Sequence, residues 1–310
     1  MLADTAWARR QDRQATQQKG SVQLQWVNMD KVQQVGTTTA PVTVIRPPKG
    51  WIPINLRELW AYRELLYFFT WRDLKVRYRQ TVLGFAWAII QPLFMMVVFS
   101  LFFGTLAKVP SDGIPYPLFS YAALLPWTLF SSSMTRSSNS LLQDANLLQK
   151  VYFPRLLMPL AGILSPLVDF AIAFVILIAL MFYFGYTPGI RILALPAFIG
   201  LELMLALGAG LWLSALSAKY RDIPYVVPFL IQLGLFVSPV VYSSNLLPAR
   251  FQAIYGLNPM AGVIEGFRWA LLVTDRPSNL FFVSVAIALV ILISGVFYFR
   301  RCEKTFADVV

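Results

Sequence analysis

Long apolar runs separated by short charged breaks dominate the chain from residue 82 onward. Val82 to Ala107, Ile114 to Thr135, Ile223 to Leu247 and Leu280 to Phe299 carry no charge at all. Leu156 to Tyr186 carries only Asp169, and Ile192 to Ala218 only Glu202. A helix that crosses a bilayer needs about 20 predominantly apolar residues. The pattern therefore predicts an all-α integral membrane protein with six transmembrane helices. A seventh apolar stretch, Phe251 to Val273, breaks the even count. It holds Pro259, with Glu265 and Arg268 placed to pair at i,i+3 on one helical face, and a charged pair is costly in lipid unless it is buried in protein or beside water. The economical prediction is a re-entrant outer hairpin between spans five and six, turning at "GLNPMAG"; the alternative is an amphipathic outer loop that never dips in.

Before the first run the pattern differs. "NLRELWAYRELLYFFTWRDLKVRYRQ", Asn55 to Gln80, reads as a helix with Asn55 and Glu58 as a capping box. Its polar arc is wide and its amphipathicity imperfect. Basic and aromatic side chains together suit a helix in the headgroup layer. Residues 1–50 are Gln- and Thr-rich and low in large apolar side chains, so they bury too little surface to offset ordering entropy. The expected organisation is a mobile polar extension (1–50), a cytoplasmic interface helix (51–80) and a transmembrane domain (81–310).

Charge fixes the predicted orientation. Lys108, Arg191, Arg250, Arg268 and Arg276 fall on one side of the six spans. Most of the remaining Lys and Arg fall on the other, with Arg136 near the inner end of span two. Short loops rich in Lys and Arg stay inside, so both termini are expected to be cytoplasmic. The net charge of +11 then reports topology rather than nucleic-acid binding. Only 13% of residues are charged, about half the share in soluble domains. One cysteine, Cys302, excludes an internal disulfide, and the lack of histidine removes the usual zinc and Ser/His/Asp constellations. No Gly is followed by Lys, so the nucleotide-binding pattern G-x-x-x-x-G-K-[ST] is absent. A membrane enzyme would have only Asp112, Asp275 and Glu265 to work with on the outer side.

Three further segments carry candidate function. The inner loop "SLLQDANLLQKVYFPRLLMPLAG" shows Leu147, Leu148, Val151 and Phe153 on a short cytoplasmic element, a docking surface or a plain connector. Span five holds Pro224, Pro228, Gln232, Ser238 and Pro239, which tend to face the bundle or a cavity. Its cavity side would present Tyr225, Phe229, Phe236 and Tyr242, aromatic faces able to stack on sugar rings, or structural filler. Asp169 and Glu202 read as proton-coupling carboxylates or, preferably, as helix–helix hydrogen-bonding groups.

The segments "LWAYRELLYFFTWRDLKVRYRQTVLGFAWAIIQPLFMMVVFSLFFG", "YRDIPYVVPFLIQLGLFVSPVVY", "GLNPMAGVIEGFRWALL" and "FRRCEKTFADVV" together resemble the permeases of type-2 ABC exporters. The group resembled most is the one that exports polysaccharides and polyol phosphates such as O-antigen, capsule and teichoic acid. The resemblance runs from about Leu56 to Val310. It implies a homodimer in the bacterial inner membrane, attached to two copies of a separate nucleotide-binding subunit that holds the ATP and magnesium. It further implies a coupling helix around Asn146, Leu147, Leu148, Lys150, Val151, Tyr152 and Phe153, with Arg221 and Asp222 near the ATPase. Phe94, Tyr225, Phe229, Phe236 and Tyr242 become channel-lining candidates. Asn258, Pro259, Glu265 and Arg268 become outer-gate candidates in a hairpin from Leu246 to Val273. The implied substrate is a lipid-linked polysaccharide whose diphosphate head meets Arg72, Lys75, Arg77 and Arg79, residues that also serve as a topology anchor. Drug or small-lipid export keeps this architecture and changes the cargo, whereas a non-transporting scaffold predicts no ATPase partner.

Overall fold

The computed structural model describes residues 56–79, 84, 86–246, 248, 255–272, 274, 280–303 and 306. Expectations for residues 1–50, for Asn55 and Gln80, for the start of span one at Val82 and for the first arm of the hairpin lie outside these residues. The described residues are helical, with no strand among them.

Eleven α-helices are named here in chain order. The basic segment forms α1 (Leu56–Ala61) and α2 (Arg63–Arg79). α3 (Ala86–Phe99) continues as a π-helical turn from Ser100 to Leu106. Then follow α4 (Tyr116–Gln143), α5 (Ala145–Lys150), α6 (Leu157–Leu164) and α7 (Pro166–Tyr183). The remainder is α8 (Leu195–Lys219), α9 (Ile223–Val237), α10 (Pro259–Leu272) and α11 (Leu280–Cys302).

Among the described residues, four stretches are long and apolar enough to cross a membrane: Ala86–Leu106, Leu157–Tyr183, Ile190–Lys219 and Phe281–Cys302. They coincide with predicted spans one, three, four and six. Predicted span two falls on α4, whose 28 residues extend about 42 Å at 1.5 Å per residue, more than the hydrocarbon core of about 30 Å. Its second half is serine-rich. That polarity is tolerable because α4 is the central helix, contacted by α3, α6, α7, α8, α9 and α10. Predicted span five differs most. α9 has 15 residues, about 22 Å, and stops at Ser238 because Pro239 disfavours a helical residue before it.

Close packing follows small residues, as expected where lipid removes any hydrophobic drive for helices to associate. A Cβ added to Gly295 on α11 would lie 2.3 Å from the Gly208 carbonyl oxygen on α8. One added to Gly208 would lie 2.6 Å from the Leu292 nitrogen. The two backbones touch there, and Trp212 stacks on Tyr298 nearby at 4.1 Å between centroids. Gly162 on α6 likewise faces the backbone of Arg136 and Ser137 on α4.

A separate apolar cluster marks one end of the bundle. It joins Phe69 of α2, Leu141 of α4, Leu148 of α5, Leu157 and Met158 of α6, and Ala218 at the end of α8; Phe299 and Phe306 complete it. The basic helix, the loop after α4, the α8–α9 turn and the end of α11 therefore gather at the same end.

Candidate functional site

At that end, α5 is clamped to α2. Asp144 stands at the N-cap position of α5, where a carboxylate ordinarily accepts from the helix's first N–H groups, yet it makes no such bond. Both its oxygens are turned to Arg72 instead. Nη1 donates to Oδ1 at 2.8 Å and Nη2 to Oδ2 at 2.6 Å, the two-pronged geometry that suits guanidinium and carboxylate. Asp73 accepts a further bond from Arg72 at 2.9 Å. Burial works to lower the Arg72 pKa, but hydrogen bonding to Asp144 and Asp73 outweighs it and raises the pKa above its usual value. Beside this clamp Phe69 meets Phe153 edge to face at 5.5 Å.

This arrangement revises the expected apolar docking surface. Leu148 and Phe153 are buried within the chain, and Leu147 packs partly against the same cluster. The exposed positions of the element are Lys150, Val151 and Tyr152, with Asn146 also on its surface. Arg221 and Asp222 are exposed in the turn between α8 and α9.

The four basic residues of α2 separate in role. Arg72 is engaged as described; Lys75 and Arg79 are exposed. Arg77 reaches Asp169, in the first turn of α7, with one guanidinium nitrogen, and the Tyr78 hydroxyl donates to the other oxygen of the same carboxylate. Asp169 is therefore a helix–helix hydrogen-bonding group, the preferred reading above. Glu202 on α8 is fully buried, with the Phe130 backbone of α4 beside its carboxyl group.

Arg77 and Asp169 line a cavity of about 550 Å³ between α2, α3, α4 and α7. Arg136 enters it from α4, and Trp87 and Gln91 from α3. Arg136 was visible in the sequence only as a charge near the end of a span. Its spacing of four residues from Ser132 and eight from Thr128, both also in the cavity wall, was the available signal of a polar face on α4.

At the opposite end, the broken end of α9 is held by Arg268. Residues 238–243 are not helical, and non-helical backbone at membrane depth needs partners within the protein. Arg268 donates to the carbonyl oxygens of Val240 at 3.0 Å and Tyr242 at 3.3 Å, and to that of Phe119 at 3.4 Å. Its guanidinium also lies 3.5 Å from the Phe119 ring centroid. Tyr116 donates to Val241 O at 2.7 Å. The expected Glu265–Arg268 ion pair is not among the ion pairs of the described residues; the guanidinium donates to backbone carbonyls instead. Asn258 Nδ2 donates to Ser238 Oγ at 3.0 Å, so the start of α10, at Pro259, is tied to the end of α9.

The aromatic candidates of α3 and α9 face outward. Phe94, Tyr225, Phe229 and Phe236 are exposed, each on a helix whose opposite side packs on α4. Tyr242 is half-buried and donates to the Phe236 carbonyl at 3.3 Å, so it helps close the broken end of α9.

Residues 64–272 match the model of the ABC-2 type transporter family. The chain belongs to that family and is a multi-pass inner-membrane protein. Among its relatives is an O-antigen export system permease protein RfbA of Klebsiella pneumoniae, 29% identical over 249 residues that cover 79% of this chain and 95% of the relative. The protein of the same description from Myxococcus xanthus is 28% identical, covering 80% and 96%. The polysialic acid transport protein KpsM of Escherichia coli is 23% identical, covering 65% and 78%.

Proposed function

We propose that this chain is the transmembrane subunit of an ATP-driven exporter that moves a lipid-linked polysaccharide, of the O-antigen class, across the inner membrane. The observation that carries the reading is the near end-to-end match to O-antigen export permeases, 95% and 96% of their length. In this reading the chain crosses six times, with α4 and the α9 region completing the four apolar spans. Both termini are cytoplasmic, and α10 is the returning arm of a re-entrant outer hairpin. The near-complete burial of α10 supports that last point.

Two copies enclose the channel, each contributing the exposed aromatic faces of α3 and α9. Hydrolysis takes place on two copies of a separate nucleotide-binding subunit that carries ATP and magnesium. Lys150, Val151 and Tyr152, held out by the Arg72–Asp144 clamp, form with Arg221 and Asp222 the surface that meets it. Asn258, Pro259 and the Arg268 clamp form the outer gate. The cytoplasmic end near α2 admits the lipid-diphosphate head.

Deleting the gene from its native host tests the reading. Polymer stranded on its lipid carrier inside the cell, with none at the surface, is the expected result. Normal surface polymer in the deletion strain would sink it.

A further inference from the structure

The cavity between α2, α3, α4 and α7 has features that a topology anchor does not require. Arg77 spends one nitrogen on Asp169, while its Nε and Nη2 are buried without a hydrogen-bond partner. Buried donors on a charged group are costly unless they are met. Arg136, on the facing wall, has no hydrogen bond or ion pair to any described residue, and it lies within electrostatic range of Arg77, Asp73 and Tyr78. Two arginines thus line one space, in which the single lining carboxylate, Asp169, is paired with Arg77. The volume of about 550 Å³ falls in the range of small-molecule sites, about 300–1,000 Å³. The wall is divided in character. Arg77, Arg136 and Gln91 are polar, whereas Trp87, Leu129 and Phe170 are apolar. Trp87 is 56% exposed and begins the outward apolar face of α3 that continues through Ile90, Phe94 and Val97.

An occupant matching this wall has a compact, multiply charged anion at one end and a hydrocarbon chain at the other. We propose that the cavity binds the phosphate-bearing head of an anionic lipid between Arg77 and Arg136, and that Asp169 competes with that head for Arg77. The site rests on the exporter reading and deepens it, because it adds Arg136 to the residues of α2 and gives Asp169 a role in release. Arg77 can exchange one carboxylate for a phosphate without leaving the cavity. A diphosphate offers more acceptor oxygens than Asp169 and so satisfies the donors that Asp169 leaves unmet. Asp169 in turn supplies a replacement partner as the head departs, so Arg77 is not left as a buried, unpaired charge.

The test uses the full chain with its ATPase partner in nanodiscs of zwitterionic lipid. Labelled farnesyl diphosphate is the probe, with farnesol and inorganic pyrophosphate as competitors. R136Q is expected to weaken probe binding about tenfold, the loss of one charge-assisted contact. D169N is expected to tighten it several-fold by freeing Arg77. R136Q within twofold of the unaltered protein, or weaker binding by D169N, overturns the site. If D169N fails to assemble with its partner, R136Q decides alone. Farnesol competing as well as the probe removes the phosphate assignment, and pyrophosphate competing as well removes the lipid assignment. The deletion strain keeps the two readings apart: stranded polymer with Arg136-independent binding retains the exporter and discards the site, and the reverse pattern does the opposite.

Discussion

Arg268 shows how much one side chain carries. It reaches two carbonyls where α9 has ended and a third, that of Phe119, on α4, and it is 4% exposed. Lysine preserves the charge but has no planar fork and cannot reach three divergent acceptors together. Each buried carbonyl left unmet costs about 1–3 kcal/mol. R268K is therefore expected to lower the temperature at which the detergent-solubilised chain loses its monodisperse elution peak, and R268M to lower it further. An unchanged melting profile for both would show that the clamp is dispensable. The sequence showed Arg268 as a partner for Glu265 because i,i+3 spacing is a local property. Its actual partners lie 26, 28 and 149 positions away, and nothing in periodicity reports contacts of that range. Arg72 and Asp144, 72 positions apart, were hidden for the same reason.

At the level of single helices, legibility followed lipid exposure. Stretches on the outside of the bundle must be apolar along their length, so the four with the highest hydropathy were plain from the sequence. α4 is shielded by its neighbours and can afford serines, yet it still read as a span because its first half is uncharged. α9 read as too long, since composition counts Ser238 to Leu247 as apolar while Pro239 ends the helix. The α8–α11 contact is where an element-level prediction is sharpest. Leucine at Gly295 would place a branched side chain into the Gly208 backbone, and overpacking of this kind costs about 1–3 kcal/mol. G295L is expected to reduce the yield of folded chain and its thermal stability. G189L, with open space around the corresponding Cβ position, is expected to leave both unchanged. Equal behaviour of the two variants would contradict the close approach.

For the whole molecule, the prominent fact is the amount of aromatic surface on α3 and α9 left exposed among the described residues. Tyr225 is 82% exposed and Phe94 66%. Single exposed apolar residues need no explanation, but a continuous face does. In the dimer reading these faces belong to a shared interior. Cys302 is the single native cysteine, so F229C in a C302S background reports cleanly. A disulfide-linked or short-linker cross-linked dimer in native membranes is the expected product. V175C, exposed on α7, is expected to give little. Equal cross-linking at both positions would mean random collision rather than a defined seam.

The backbone contact between Gly208 and Gly295 also constrains how the protein is made. The groove on α8 is filled by α11, which leaves the ribosome after α1 to α10. Every nascent chain must therefore wait, with bare main chain turned toward lipid, until α11 has been synthesised. A chain terminated ahead of residue 280 never covers that groove. Prematurely stopped products are accordingly expected to be cleared by membrane proteases rather than to accumulate as idle partners for the finished subunit.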